Sequence, residues 1–445
     1  MSTLIAPLKT KNCVLRQPLG CFIDQPQPTL RLDPNAEAIA LRSAHNVAGP
    51  LTGIRVLELG SFIAGPFAGQ LLGDYGAEVI KVEPPSGGDP MRKWGHRDSA
   101  GHSYWWPAIA RNKKSIAIDL RIAEGRTVVR RLASRSDIVL ENFTPGRLAE
   151  WQLGYDDLVD DNPGLIMTHV SGFGQTGPRA ADPGFGSIGE AMGGIRHTTG
   201  WPDRPSTRAG ISLGDAIASL FAVSGTLAAL NERQRSGKGQ EVDVAIYEAV
   251  FALMESTIAD YDLGGHIRGR TGSVLPGVSP SNVYPTLDGS DVLIAGNADA
   301  IFRRICAAMN RTDLSEDPRY ATHQSRGVNQ LELDDIISAW TASQRVEELE
   351  AVLEEHAIPY GRIFTAPDMI ADPQFAAREL IQRYEDEILG REVPMAAPIP
   401  RFSRTPGEIR STGPGLGQHT DQILDSVGGY NQEQIERLRS EGVVA

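Results

Sequence analysis

The chain has 445 residues, 41% of them hydrophobic and 22% charged, and a formal net charge of −13. That length can bury a sizeable core in two or three domains, and the acidic balance excludes a general nucleic-acid surface, so a polyanionic ligand needs local basic groups. Three cysteines, none in a C-x-x-C pair, exclude a disulfide framework, and Pro7 interrupts the apolar run 4–8 that a signal core would need, so a cytoplasmic protein is expected.

Residues 1–48 read as an N-terminal extension, punctuated by Pro7, Pro18, Pro26, Pro28 and Pro34. A strand is predicted over 54–59, then a helix through Phe67, Leu71 and Leu72 that stops near Gly76, then a strand over 78–83. Such a strand–helix–strand unit builds a parallel sheet. Further strands are predicted over 115–120, 138–140 and 165–170, with an amphipathic helix over 123–134. The alternation predicts an α/β fold with a Rossmann-like, doubly wound large domain.

Two helical stretches are predicted from Asp215 onward, the first stopping at Gly237 and the second spanning 242–258. The longest uncharged apolar stretch, 216–230, is too short and too rich in small residues to span a bilayer, so no membrane partner is expected. A loop over 264–277 leads into a smaller α+β domain, with strands over 282–285 and 292–295 and helices from Ala298 and Leu331. The expected division is 1–48 extension, 49–260 large domain, 261–278 linker, 279–360 small domain, and 361–445 linker and return to the large domain.

Asp215 closes the run Ser212-Leu213-Gly214-Asp215, immediately before a helix. By pattern alone two roles stay open. Asp is a favoured helix N-cap, and a carboxylate beside a glycine at a helix mouth is also a candidate nucleophile. The run Gly172 to Gly177 matches G-x-G-x-x-G, but Pro178 follows and no helix opens there. It is therefore read as a loop over a ligand, with Gly172, Gly174 and Gly177 giving it freedom. By charge, Lys113, Lys114 and Arg147 are candidate phosphate partners, with a solvated basic surface as the alternative.

The motifs also form an ordered set. Leu51 to Leu59 leads into Gly73-Asp74-Tyr75-Gly76-Ala77-Glu78 and on to Glu83-Pro84-Pro85, then Gly88-Asp89-Pro90. Arg111-Asn112-Lys113-Lys114-Ser115, Glu141-Asn142-Phe143-Thr144-Pro145-Gly146, the 172–178 loop, Leu213-Gly214-Asp215 and Gly237-Lys238-Gly239-Gln240 follow. Asp372-Pro373-Gln374 and Leu416-Gly417-Gln418-His419-Thr420 stand near the end. Over about residues 50–425 this set resembles the class III coenzyme A transferases, the formyl-CoA and carnitinyl-CoA transferase family.

The resemblance implies that Asp215 is the catalytic nucleophile, that Asn142 and Phe143 line the coenzyme A channel, and that two chains form an interlocked dimer or a heteromer with a related chain. It implies no separate cofactor and no metal, because the coenzyme A thioester is itself a substrate. The α-methylacyl-CoA racemases share the fold and are the alternative. They carry a His-Asp pair where this chain has Phe185-Gly186, and many transferases also keep an acid at the Gly186 position. Ile63 replaces a glutamine of the formyl-CoA enzymes. The run 275–284 with 294–297 looks like the branch that uses succinyl-CoA with small dicarboxylates such as malate or citramalate. A distal carboxylate needs a cation, for which Arg208 and Arg270 are the candidates, with Arg268 on the same loop.

Overall fold

In the computed structural model the described residues are 49–445. The 1–48 extension, with Cys13 and Cys21, lies outside them. Six parallel strands form the central sheet: β1 (Arg55–Glu58), β2 (Glu78–Glu83), β3 (Lys113–Ala117), β4 (Ile138–Glu141), β5 (Ile166–Ser171) and β6 (Gln240–Ala245). Their order is β3-β2-β1-β4-β5-β6. Strand order therefore reverses between β1 and β4, and the carboxyl ends of those two strands flank a crevice where ligands settle in such sheets.

The central strands bury apolar residues on both faces because helices cover both, while the edge strand β6 is partly exposed. On one face α1 (Ala64–Asp74) and the long α4 (Leu213–Ser236) pack with Val56, Val79, Leu140, Ile166 and Val170. On the other, α2 (Ala123–Ala133) and the C-terminal α9 (Gln432–Ser440) enclose Leu57, Ile80, Ile116, Val139 and Met167. Between β5 and α4 runs α3 (Gly186–Met192), which packs on α5 (Ile246–Phe251). By length and composition α4 could cross a membrane, but half of its apolar window is buried within the protein.

A second sheet is antiparallel: β7 (Ser281–Pro285), β8 (Asp291–Ala295) and β9 (Tyr360–Arg362). The helices α6 (Asp299–Ala308), α7 (Gln330–Thr341) and α8 (Val346–Glu355) cover it, around Tyr284, Ile294, Phe302, Ile337 and Leu349. A hairpin, β10 (Ile381–Asp386) and β11 (Arg391–Ala396), follows.

One predicted helix is corrected. The second stretch from Val242 is not helical at its start: Gln240–Ala245 is β6, an edge strand, and helix begins only at Ile246. Val242 and Val244 alternate with Glu241 and Asp243, the period-two signal, while Val242, Ala245 and Ala249 also fit a helical spacing. Pairing of 240–245 with β5 decides between them.

A buried cluster of charges ties the sheet together. Glu58, at the end of β1, receives Lys81 Nζ at 2.8 Å and Lys113 Nζ at 2.7 Å, and all three side chains are at most 1% exposed. Lys81 also meets Asp89 Oδ2 at 2.8 Å and the Gly60 carbonyl at 2.9 Å. Burial disfavours the Lys81 ammonium, but Glu58 and Asp89 outweigh it and push its pKa up. Lys113 is thus a core residue, its amine also donating to the Pro66 carbonyl at 2.6 Å. Its expected place on a coenzyme A phosphate is corrected on that ground.

Loss of Lys113 leaves Glu58 Oε2 buried without its ion pair, while Lys81 still meets Oε1. Lys113→Met should cost roughly 3 kcal/mol of stability and lower Tm by several degrees, with KM for acyl-CoA unchanged. A raised KM with unchanged Tm in a thermal melt would instead put Lys113 at the ligand.

Candidate active site

At the reversal point of the sheet lies a cleft of about 290 Å³. Residues 61–64 reach it from the end of β1, 142–145 from β4, 170–172 from β5, and Ile246 from the end of β6. The segment 182–185 forms a further wall, and Asp215 belongs to the lining.

Asp215 is the third residue of α4, in its first turn. The N-cap reading is corrected: Ser212 occupies that position and makes no side-chain capping bond. The half-buried Asp215 side chain has no hydrogen bond or ion pair among the described residues. It lies against the backbone of Gly186, where a methyl group would sit 2.1 Å from Asp215 Oδ2 and 2.6 Å from its Cγ. A side chain at 186 would require the Asp215 carboxylate to shift from this position.

The helix dipole would lower the pKa of a first-turn carboxylate. Burial and then the charge of Glu190 oppose it, and the Asp215 pKa is raised to about 6. Glu190, on α3, is itself buried; its Oε2 pairs with Arg196 at 2.8 Å and its Oε1 accepts the Gly214 N–H at 3.1 Å. The sequence reading missed Glu190. Its one signal was its place four residues after Gly186, the same face of a helix one turn on.

Asn142 and Phe143 both line the cleft. The Asn142 amide clamps the opposite wall: Oδ1 accepts the Ser61 N–H and Nδ2 donates to the Ser61 carbonyl, each at 2.8 Å. Asp89 Oδ1 accepts the Phe62 N–H at 3.1 Å, so the buried Lys81 cluster reaches this wall as well. Phe143 donates its N–H to Glu141 Oε2 at 2.7 Å, while Glu141 Oε1 meets His169 Nδ1 at 2.5 Å.

Of the glycine loop, Gly172 lines the cleft and packs on Gly184, a methyl group at 172 falling 2.6 Å from the Gly184 Cα. Gly174 and Gly177 take positive φ of 84° and 95° outside that lining. The loop is held by the Gly174 N–H on Ser171 Oγ and the Gln175 N–H on Asp243 Oδ2, both 2.9 Å.

None of the expected cations lines the cleft. Lys114 stands on β3 with its amine 2.7 Å from Glu78. Arg147 pairs with Glu150 at 2.7 Å outside the cleft. Arg208 is exposed and donates to the neighbouring Ala209 carbonyl at 3.0 Å; Arg270 donates to the Trp201 carbonyl at 3.1 Å; Arg268 pairs with Glu255 and Asp260. Among the described residues no lysine, arginine or histidine lines the cleft, and its two charged residues, Asp182 and Asp215, are both acidic. Phe185, where a racemase base would stand, is 65% exposed at its rim. Cys306 is buried, its thiol pKa pushed up to about 11 by burial, and lies outside the cleft.

Comparison with known proteins places the whole fold in a family. The succinyl-CoA–D-citramalate CoA-transferase of Chloroflexus aurantiacus is 56% identical over 395 residues, covering 89% of this chain and 98% of that protein. The alpha and beta subunits of the succinyl-CoA–L-malate CoA-transferase of the same organism are 40% and 38% identical, each across 89% of this chain and 92% or 98% of their own length. A crystal structure of a CAIB/BAIF family protein from Brucella suis superposes with a TM-score of 0.77 at 35% identity, covering 85% of this chain and all of that one. Residues 51–420 match the model of CoA-transferase family III, and the chain belongs to that family.

Proposed function

We propose that this protein transfers coenzyme A from succinyl-CoA to a small dicarboxylate, with D-citramalate ahead of L-malate, through covalent intermediates on Asp215. The observation that carries the reading is the unpaired carboxylate seated on Gly186 at the reversal point of the sheet. The substrate pair follows the 56% identical relative, whose acceptor differs from malate by one methyl group. Phe62, Ile63 and Ile246 give the cleft apolar surface for such a methyl.

Exchange of coenzyme A between two carboxylic acids is nearly thermoneutral, so the thioester's energy has to be kept. Asp215 attacks the succinyl carbonyl, the C–S bond breaks, and a mixed anhydride and coenzyme A thiolate form. The thiolate attacks the aspartyl carbonyl, releasing succinate and leaving an aspartyl-CoA thioester. The acceptor carboxylate attacks that thioester and expels the thiolate, giving a second anhydride. The thiolate then takes the acceptor acyl group and frees Asp215. No step moves a proton, which suits a cleft lined, among the described residues, by neither histidine nor lysine. Each tetrahedral intermediate needs amide donors, and each acyl intermediate needs protection from water, for which the glycine-rich walls and the 172–177 loop are the candidates.

Among the described residues the acidic cleft holds no cation for a distal carboxylate. A second chain, either another copy or a related subunit, is the proposed source. Exposed Leu220 and Phe221 on α4, Phe251 on α5, and Ile258, Tyr261 and Leu263 beyond it offer an apolar surface for that chain. The L-malate relative, with its alpha and beta subunits, sets a precedent for related chains together.

Two outcomes are expected. The first concerns pH. The nucleophile has to be ionised, so the rate of the first half-reaction should rise through about pH 6 and level off above it. Because the folded pKa exceeds the ordinary aspartate value, ionised Asp215 opposes folding above about pH 6 and the protonated group does not below the unfolded value. Asp215→Asn should therefore abolish transfer yet melt at a higher temperature than the wild type at pH 7.5, the difference shrinking as pH falls toward 4. Retained turnover in that variant would place the nucleophile elsewhere.

The second concerns the acceptor. Removing the distal carboxylate leaves its cation unpaired in a partly dry site, a loss of roughly 2–4 kcal/mol. With succinyl-CoA as donor, kcat/KM for malate should exceed that for lactate by well over tenfold, and citramalate should equal or exceed malate. Equal rates on malate and lactate would defeat the dicarboxylate assignment.

A further inference from the structure

Two short segments meet beneath Asp215. Gly186 opens α3 and Gly214 precedes the aspartate on α4; a methyl group at Gly214 would lie 2.9 Å from both the Gly186 carbonyl oxygen and Glu190 Cγ. The helices touch here backbone to backbone, with Glu190 as the one large side chain of α3 buried at the contact. Its side chain is 4% exposed.

An α-helix leaves its first amides without partners. Ser212 supplies no side-chain cap to α4. The Gly214 N–H is satisfied instead from another helix, by Glu190 Oε1 at 3.1 Å. The second oxygen of Glu190 is gripped by Arg196, with Nε at 2.9 Å and Nη2 at 2.8 Å. Arg196 cannot reorient Glu190 without breaking both bonds, so the carboxylate is fixed at each end.

We infer that Glu190, locked by Arg196, is a positioning residue for the transfer reaction: it caps the first turn of α4 at Gly214 and so holds the Asp215 carboxylate on Gly186, facing the cleft. The inference rests on Asp215 being the nucleophile. It assigns the missing acid of position 186 to a position one helical turn later. An acid at 186 would occupy the space of the Asp215 carboxylate, whereas one at 190 reaches the same helix mouth from below.

Glu190 also adds its charge to the environment of Asp215, second to burial in raising its pKa. The other charged groups near Asp215 are Arg196, behind Glu190, and Asp182 on the cleft wall, which pairs with Arg179 at 2.9 Å. On α4 itself the first turn holds no other acid.

Two variants separate positioning from mere stability. Glu190→Gln keeps an oxygen for the Gly214 N–H but loses the charge. Glu190→Asp keeps the charge but withdraws it from the amide by one methylene. Single-turnover release of succinate from succinyl-CoA should be followed across pH 4.5–8.5 at a temperature where circular dichroism shows each variant folded, in the full chain. With Glu190→Gln the pH midpoint should move below 6. With Glu190→Asp kcat should fall about tenfold or more, as misplacement of a reacting group by a fraction of an ångström does, while KM for succinyl-CoA and the pH midpoint stay near wild type. Wild-type kcat in Glu190→Asp together with an unmoved midpoint in Glu190→Gln would overturn the inference. Asp215→Asn, run in parallel, keeps the two failures apart: its inactivity alongside fully active Glu190 variants sinks only the positioning role, and its activity sinks the nucleophile itself.

Discussion

A carboxylate without a counter-ion is held against bare backbone, and the rest of the site is arranged around that contact. Asp215 can rest on Gly186 only because neither Gly186 nor Gly214 carries a side chain. Burial would ordinarily be met by pairing such a group with a cation or by giving it hydrogen bonds. Here neither is supplied among the described residues, and a neighbouring acid adds to the cost. The structure therefore spends stability at this point, a pattern expected where reactivity rather than rigidity sets the residue.

The cost is met by strong ties in the walls. Glu58, Lys81, Lys113 and Asp89 form a dry network at the end of β1, and it reaches the cleft through the Gly60 carbonyl and the Phe62 amide. Asn142 clips residue 61 from the end of β4. Gly60 has to be glycine for this clip, since a methyl group there would lie 2.8 Å from Asn142 Oδ1. Both walls are thus set by side chains rooted in adjacent strands, so the strand order of the sheet is carried directly into the width of the crevice. A cleft fixed in this way can present Asp215 to a thioester without first reorganising.

Much of this was legible in the sequence, and what was not has physical reasons. The strand at 78–83 and the helix near 123–134 coincide with their predicted spans within a residue, because the β-branched Val79, Ile80 and Val82 and a clear amphipathic helix carry strong local signals. The edge strand β6 was lost because six residues with charged outward positions fit a helical spacing as well as an alternating one. Lys113 looked like a phosphate ligand because charge is visible in a sequence and burial is not; its partner Glu58 lies 55 residues earlier and becomes a neighbour only when β3 and β1 flank β2. Arg208 and Arg270 were proposed from charge and loop position, and neither lines the cleft. Asp215 was found through its motif company, but its setting depends on Gly186, whose missing side chain reads in one dimension as a missing function and in three as room for the carboxylate.

The most direct test of a covalent carboxylate mechanism is chemical capture of the acyl enzyme. The full-length protein should be incubated with succinyl-CoA, quenched with hydroxylamine or borohydride, digested, and mapped by peptide mass spectrometry. An aspartyl thioester is electrophilic and a resting carboxylate is not, so the account predicts modification of the peptide containing Asp215, only when succinyl-CoA is present. Absence of any adduct during active turnover, or an adduct confined to another residue, would contradict it.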